Sequence, residues 1–237
     1  MDQPIRINKF FTEHGICSRR EADRLIESGA VTINGLAAKL GDRVIPSDRI
    51  VCSGRVIPWG NASVYIKYNK PVGVTTTSES HVARNIIAEI GYPERIFPIG
   101  RLDKESSGLI LLTNDGDIVN DILRAEFGHE REYVVEVDRP FDQSFVDQMA
   151  NGVVILGSQT RPCRLIRVGT KRFRIVLTEG RNRQIRRMCA TLGYRVLSLH
   201  RVRIMHISVD GLGVGEWKEL TKQERDRLWE AVGRTGA

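Results

Sequence analysis

The sequence predicts a chain of mixed helix and strand, biased toward strand and divided into two unequal parts. Three observations predict it. Residues 5–58 hold two short helical patterns followed by small strands, and Pro58-Trp-Gly-Asn-Ala-Ser closes them off. Beyond that point the alternation of Val64, Ile66 and Tyr68 opens a strand-rich pattern. Within it lies Leu109-Ile-Leu-Leu112, an apolar run short enough for a buried strand, bounded by Gly108 and the turn signal Asp115-Gly116.

Taken in order, Ile7, Phe10, Phe11 and His14 mark a first short helix. Ser18-Arg-Arg-Glu21 predicts a second, opened by a capping box in which the Ser hydroxyl accepts a helix amide and the Glu returns to the Ser amide. Ala22, Leu25 and Ile26 share its apolar face and Gly29 ends it. Val31-Thr-Ile33 runs into the hairpin turn Asn34-Gly35, and short strands are expected near Val44 and over 50–56. Residues 59–63 are expected to be a linker, leaving 64–233 as the larger domain.

In that domain Asn69-Lys-Pro-Val-Gly73 turns the chain, and a helix is expected over 82–90. After the apolar strand come a helix over 117–123 and a strand over 132–137 with Tyr133, Val135 and Val137 on one face. Strands fit 153–156, 164–168 and 172–178. Ile185, Met188, Cys189 and Leu192 fall at i, i+3, i+4 and i+7, the stripe of one buried helix face. A final helix over 222–232 carries a charged outer face.

The 237 residues, 41% of them hydrophobic, are enough for a substantial core. No run approaches the roughly 18 apolar residues of a membrane span, and the N-terminus has no apolar export region, so a cytoplasmic protein is expected. Cys17, Cys52, Cys163 and Cys189 form no C-x-x-C pair, which argues against a metal or disulfide framework. The net charge is +7, but residues 161–206 hold thirteen Lys and Arg against Glu179 alone, +12, so the rest of the chain sums to −5. The run is almost all Arg, the better phosphate fork, and points to a nucleic-acid partner. A membrane surface fits less well, because the run is not an amphipathic helix. Residues 1–60 are more balanced, nine basic against seven acidic, and would position a nucleic acid rather than supply most of the affinity.

Asp103 stands two residues after Arg101, which itself follows Gly100, just before the apolar strand. A carboxylate at the mouth of a sheet is a candidate reactive group; a guanidinium favours its ionised form, and glycine lets a substrate approach the backbone. The surrounding stretch, Gly100-Arg-Leu-Asp-Lys-Glu-Ser-Ser-Gly-Leu, resembles the signature of the pseudouridine synthases, in the small-subunit synthase A-like branch that acts on ribosomal RNA. That resemblance implies an α+β fold, a mixed, largely antiparallel sheet with flanking helices, over 64–233. Residues 5–58 resemble the S4 RNA-binding domain through Arg6-Ile-Asn-Lys-Phe, Gly15-Ile-Cys-Ser-Arg-Arg-Glu-Ala-Asp and Val31-Thr-Ile-Asn-Gly35, which implies RNA contacts at Lys9, Arg19 and Arg20.

The implied reaction isomerises uridine within RNA: N1–C1′ breaks, the uracil turns, and C5 joins C1′, with no cofactor and no metal. Asp103 would act as nucleophile at C1′ or as the base taking the 2′ proton, and both stay open. Thr178-Glu-Gly-Arg-Asn-Arg-Gln-Ile-Arg-Arg-Met188 resembles a second family motif, and the matching arginine, Arg186, is expected to pair with Asp103. Arg183 and Arg187 point away from the apolar stripe and, with Arg181, are expected at solvent or phosphate. Tyr133, in Glu-Tyr-Val, would stack on a flipped base and handle a proton. Arg101 would fill the vacated space or grip phosphate, whereas Lys70 in Lys-Pro-Val-Gly73 reads as structural. Asn8-Lys-Phe, Asn182-Arg-Gln-Ile-Arg-Arg-Met-Cys and Arg203-Ile-Met resemble the F type of large-subunit synthases. The expected partner is then 23S rRNA, at the uridine-2604-type loop site near the peptidyl-transferase centre; a monomer is expected because no exposed apolar stripe calls for a partner. Sister synthases act on neighbouring 23S or on 16S uridines. The F type often carries a long basic tail, which this sequence, ending at Ala237, does not show. The rival classes are a non-catalytic assembly factor, which would tolerate Asp103→Asn, and a glycosidase, which would release free uracil.

Overall fold

The computed structural model describes residues 3–60, 63–79, 81–123 and 128–234. The chain divides into two units. One takes the residues through Val64 together with Tyr92–Ile96 and Thr113–Gly116; the other takes Tyr65–Gly91, Phe97–Leu112 and the chain from Asp117 on. Nothing in the sequence pattern pointed to the two short returns. The expected linker lies partly outside the described residues, at 61 and 62.

In the first unit β1 (Ile5–Arg6) leads into α1 (Ile7–Glu13), which buries Ile7, Phe10 and Phe11. Helix α2 (Arg19–Glu27) is capped by Ser18, whose Oγ accepts from the Glu21 amide at 3.2 Å. The Glu21 carboxylate pairs with Arg24 at 3.0 Å, so the expected capping box is only half formed. Strands β2 (Val31–Ile33) and β3 (Leu36–Ala37) join through Asn34 and Gly35, both at positive φ (51° and 86°), as a two-residue hairpin requires. β4 (Arg43–Val44) pairs with β1. The strand expected over 50–56 is a hairpin, β5 (Ile50–Cys52) and β6 (Arg55–Ile57), turning at Ser53 and Gly54, again both at positive φ. Phe10, Phe11, Ala22, Val31 and Ile50 form its core.

The second unit is built on β7 (Tyr65–Lys70), α3 (Ile86–Ile90), β8 (Phe97–Ile99), β9 (Ser107–Thr113), α4 (Gly116–Leu123), β10 (Arg131–Val137), α5 (Gln143–Asn151), β11 (Val154–Ile155), β12 (Ser158–Gln159), β13 (Arg164–Arg167), β14 (Arg172–Leu177), α6 (Gln184–Thr191), β15 (Val196–Ile204), β16 (Ile207–Ser208), β17 (Trp217–Glu219) and α7 (Lys222–Ala231). Its sheet runs β13-β14-β10-β15-β9-β7-β17, with β16 on β15 and β8 on β9. β10 pairs antiparallel with β14 and β15, while β9 joins β15 in parallel. Helix α3 is shorter than expected: Arg84 sits at φ +52°, and Asn85, extended, caps the helix by accepting from the Ala88 amide at 2.9 Å. Among the described residues no helix is long and apolar enough to cross a membrane.

Apolar packing decides which helices form. On α6, Ile185, Met188 and Cys189 are buried as the stripe predicts, against Val135, Val137, Phe173 and Ile175 of β10 and β14. Leu109 and Leu111 of β9 bury with Ile118 and Ile122 of α4. Two features near the sheet centre position the cavity residues. A bulge between Glu132 and Tyr133 leaves Val202 unopposed, so that Tyr133 faces Arg201 across the β10–β15 pair. Gly108, at φ +105°, lies against β15 so closely that a Cβ there would sit 2.2 Å from the Arg201 carbonyl oxygen.

Candidate active site

Asp103 stands on the loop between β8 and β9. Three separate anchors hold that loop. Thr76 Oγ1 donates to Leu102 O at 2.7 Å, the Gly73 amide donates to Lys104 O at 2.8 Å, and the Ser106 amide closes a turn on Asp103 O at 3.0 Å. The Lys-Pro-Val-Gly turn is thus a buttress for the Asp103 loop. Its Lys70 is fully buried, with Nζ donating to Pro71 O at 2.8 Å and Val74 O at 2.9 Å. Burial pushes the Lys70 amine down to about 8; the Arg201 charge adds to the fall and the Asp103 charge opposes it.

Asp103, Tyr133, Arg101, Arg181, Arg183 and Arg186 line one cavity of about 460 Å³ within the second unit. Its apolar walls include Leu111, Leu177, Leu199 and Ile204. The expected pairing of Arg186 with Asp103 is corrected. Arg183 meets Asp103, Nη1 to Oδ2 at 3.7 Å, and its Nη2 reaches Glu105 at 2.9 Å. Arg183 is the N-cap of α6 at φ +52°, a backbone conformation that no helical wheel anticipates. Arg186 instead holds the loop: its Nη2 donates to Glu105 O and Ser106 Oγ, both at 3.2 Å, and its Nη1 to Val196 O at 3.3 Å.

Arg181 also differs from expectation, whereas Arg187 lies at the surface as expected. Every Arg181 nitrogen is engaged: Nε with Glu179 at 3.2 Å, Nη1 with Ser158 Oγ at 2.8 Å, and Nη2 with Gln159 O at 2.6 Å. It straps the β11–β12 hairpin to the start of α6. Arg187 turns back on Asn182, donating to its O at 3.0 Å and Oδ1 at 3.1 Å. Glu179, 8% exposed, collects Arg181, the Arg161 amide at 3.0 Å and Gln184 Nε2 at 2.9 Å. Arg101 remains exposed at the cavity edge. In the first unit Arg19 and Arg20 are exposed on the first turn of α2, and Lys9 pairs with Glu13 at 3.4 Å.

The basic run of residues 161–206 is not a continuous cationic face. Arg164 pairs with Glu130 at 2.8 Å, Arg172 with Glu136 at 3.0 Å, and Arg174 with Glu132 at 3.0 Å. Arg203 takes both Glu130 and Glu132 at 2.9 Å. Burial pulls Glu132 upward, but hydrogen bonds and charge from Arg203 and Arg174 outweigh it and hold the carboxyl below its usual range. β10 and the residue before it thus supply the acids that a count along residues 161–206 omits. Sequence reasoning also missed two cavity arginines, Arg131 and Arg201, 9% and 4% exposed. The available signal was parity: Arg131 shares the face of Tyr133 and Val135, and Arg201 that of Leu199.

Comparison with known proteins agrees with this architecture. Residues 64–191 match the family model for RNA pseudouridylate synthase, and residues 5–50 match the S4 domain. The dual-specificity RNA pseudouridine synthase RluF of Escherichia coli K12 is 48% identical over 233 residues, covering 98% of this chain and 80% of that protein. The ribosomal large subunit pseudouridine synthase B of Bacillus subtilis is 33% identical, covering 94% of this chain and 95% of its own length. A crystal structure of a pseudouridylate synthase superposes with TM-score 0.69 at 30% identity, covering 94% of this chain and 99% of that one. With the pseudouridine synthase sheet in its second unit and an S4 domain in its first, this chain belongs to the RNA pseudouridylate synthase family and is an RNA isomerase.

Proposed function

We propose that the protein isomerises a loop uridine of 23S rRNA near the peptidyl-transferase centre, acting in the cytoplasm as a monomer. The RluF relative is named for dual specificity and the Bacillus relative for the large ribosomal subunit, which favours that substrate class. In this reading Asp103 acts at the sugar. Arg183 aims the carboxylate and Arg186 fixes the loop that carries it. Tyr133 stacks on the flipped uracil and receives the C5 proton of the new C-glycoside. Arg101 meets the displaced strand, while Lys9, Arg19 and Arg20 hold RNA through the S4 domain. Everting a loop nucleotide costs only a few kcal/mol, less than one taken from a paired helix.

The single observation that carries the reading is the cavity shared by Asp103, Tyr133 and Arg183. Mapping pseudouridine across 23S rRNA from cells with and without the gene tests it. One loop site near the peptidyl-transferase centre should revert to uridine. A change confined to 16S rRNA would move the assignment to a sister type, and no altered rRNA site would overturn it.

A further inference from the structure

The interior of the cavity holds a charge with no assigned task. Arg201 lines it while only 4% exposed. Its Nε donates to Leu109 O at 2.6 Å, and its Nη2 meets no acceptor among the described residues. The two carboxylates that line the cavity are engaged by other arginines: Glu179 by Arg181 and Asp103 by Arg183. Arg131, also on the cavity wall, adds a second buried guanidinium, and its Nη2 reaches Ile122 O at 3.3 Å. Enclosing a cation with an unused donor is unfavourable unless a ligand completes it. The bulge that leaves Val202 unopposed sets Arg201 directly across from Tyr133. Phosphates of a bound strand would meet the more accessible guanidiniums, Arg101 and Arg183; a buried one meets the base.

We propose that Arg201 is a catalytic residue that donates to a carbonyl oxygen of the everted uracil and stabilises the negative charge the ring acquires when it leaves the sugar. The inference rests on the cavity being the reacting site. When N1–C1′ breaks, both electrons stay with the ring, which becomes a uracilate with charge shared by N1, O2 and O4. C1′ is satisfied either by a bond to the Asp103 carboxylate or by a C1′–C2′ double bond as Asp103 takes the 2′ proton. The ring turns and C5 bonds to C1′; Asp103 departs or returns its proton to C2′. C5 then loses its proton to a base and N1 gains one, so nothing is oxidised or reduced. A fixed guanidinium matters most while the ring is anionic, and the low-dielectric cavity strengthens its effect.

The test uses the full-length protein and single-turnover conversion of a short RNA loop carrying either uridine or 5-fluorouridine, read as loss of the N-linked nucleoside. Fluorine withdraws charge from the ring, so the departing anion needs less help. Arg201→Gln, which keeps a donor for Leu109 O, should slow the uridine RNA by roughly a hundredfold with RNA affinity little changed, and the fluorinated RNA by roughly tenfold. If Arg201→Gln does not fold, as thermal melting will show, Arg201→Lys makes the same comparison, keeping the charge but losing the planar fork. Wild-type rate in a folded variant, equal losses on the two RNAs, or a loss wholly in RNA affinity would each overturn the proposal. Asp103→Asn tests the underlying reading separately: if it turns over normally, that reading fails, whatever Arg201 does.

Discussion

In the proposed reading the chemistry turns on Asp103, and its surroundings divide labour among arginines that look alike in sequence. Arg183 touches the carboxylate, Arg186 braces the loop, and Arg181 ties down a hairpin. Replacing Asp103 with Asn should leave RNA binding within about threefold and lower pseudouridine formation by at least ~100-fold, the modest end for a positioned reacting group. Nucleoside analysis beside a filter-binding isotherm reads both. Lys70 makes a second prediction. Its amine falls from 10.5 to about 8 on folding, so the unfolded chain holds more protons between those values. Its burial therefore weighs against the fold below pH 8, and that burden lifts as pH climbs toward 10.5. The urea-derived unfolding free energy of Lys70→Met relative to wild type should be higher at pH 7.5 than at pH 10, by a few kcal/mol at most. An unchanged difference would show that Lys70 does not titrate in that window. Sequence made Asp103 stand out as a candidate because its neighbours are so particular, and the structure places it on the cavity wall, yet sequence could not rank the arginines. Arg183 meets Asp103 from a helix N-cap at positive φ, and no residue pattern states that conformation.

Among the elements, β10 changes the meaning of the basic segment. Glu132 and Glu136, with Glu130 just ahead of the strand, answer Arg164, Arg172, Arg174 and Arg203, so a tally along the chain exaggerates the field that RNA meets. Arg172→Ala with Arg174→Ala should change RNA affinity less than threefold and leave its salt dependence in place, whereas Arg101→Ala should lower the salt slope by about one. A large slope change from the strand pair would restore the whole run as an RNA face. The parallel contact of β9 and β15 is the other decisive element. Gly108→Ala would drive a Cβ to 2.2 Å from Arg201 O and 2.6 Å from its N. Left-handed strain and the clash together should destabilise the protein by about 3 kcal/mol or more, measured by urea unfolding. Strands 132–137 and 172–178 and helix 117–123 were legible from period alone, because each buries a single face. Helix 82–90 was not. Its first turn is replaced by Arg84 at positive φ and by extended Asn85, where polar groups rather than apolar spacing decide the path.

For the molecule as a whole, the two-part division was readable because two helices and a hairpin signal precede a change of period. The short stretches Tyr92–Ile96 and Thr113–Gly116, which group with the first unit, carry no such mark. The S4 domain predicts a separable effect. Arg19→Ala with Arg20→Ala should raise KM for rRNA and reduce the salt slope by about two while kcat stays put. A fall in kcat alone would tie those residues to the chemistry instead. Finally, the seat of Asp103 depends on partners made much later in the chain. Gly108 rests on Arg201, and β7 is flanked by β17. A nascent chain leaving the ribosome can complete most of its N-terminal unit early, but it has no finished Asp103 loop until translation has passed β15. Competence to modify RNA should therefore arrive abruptly and late, and stalled or C-terminally clipped products would hold RNA without altering it.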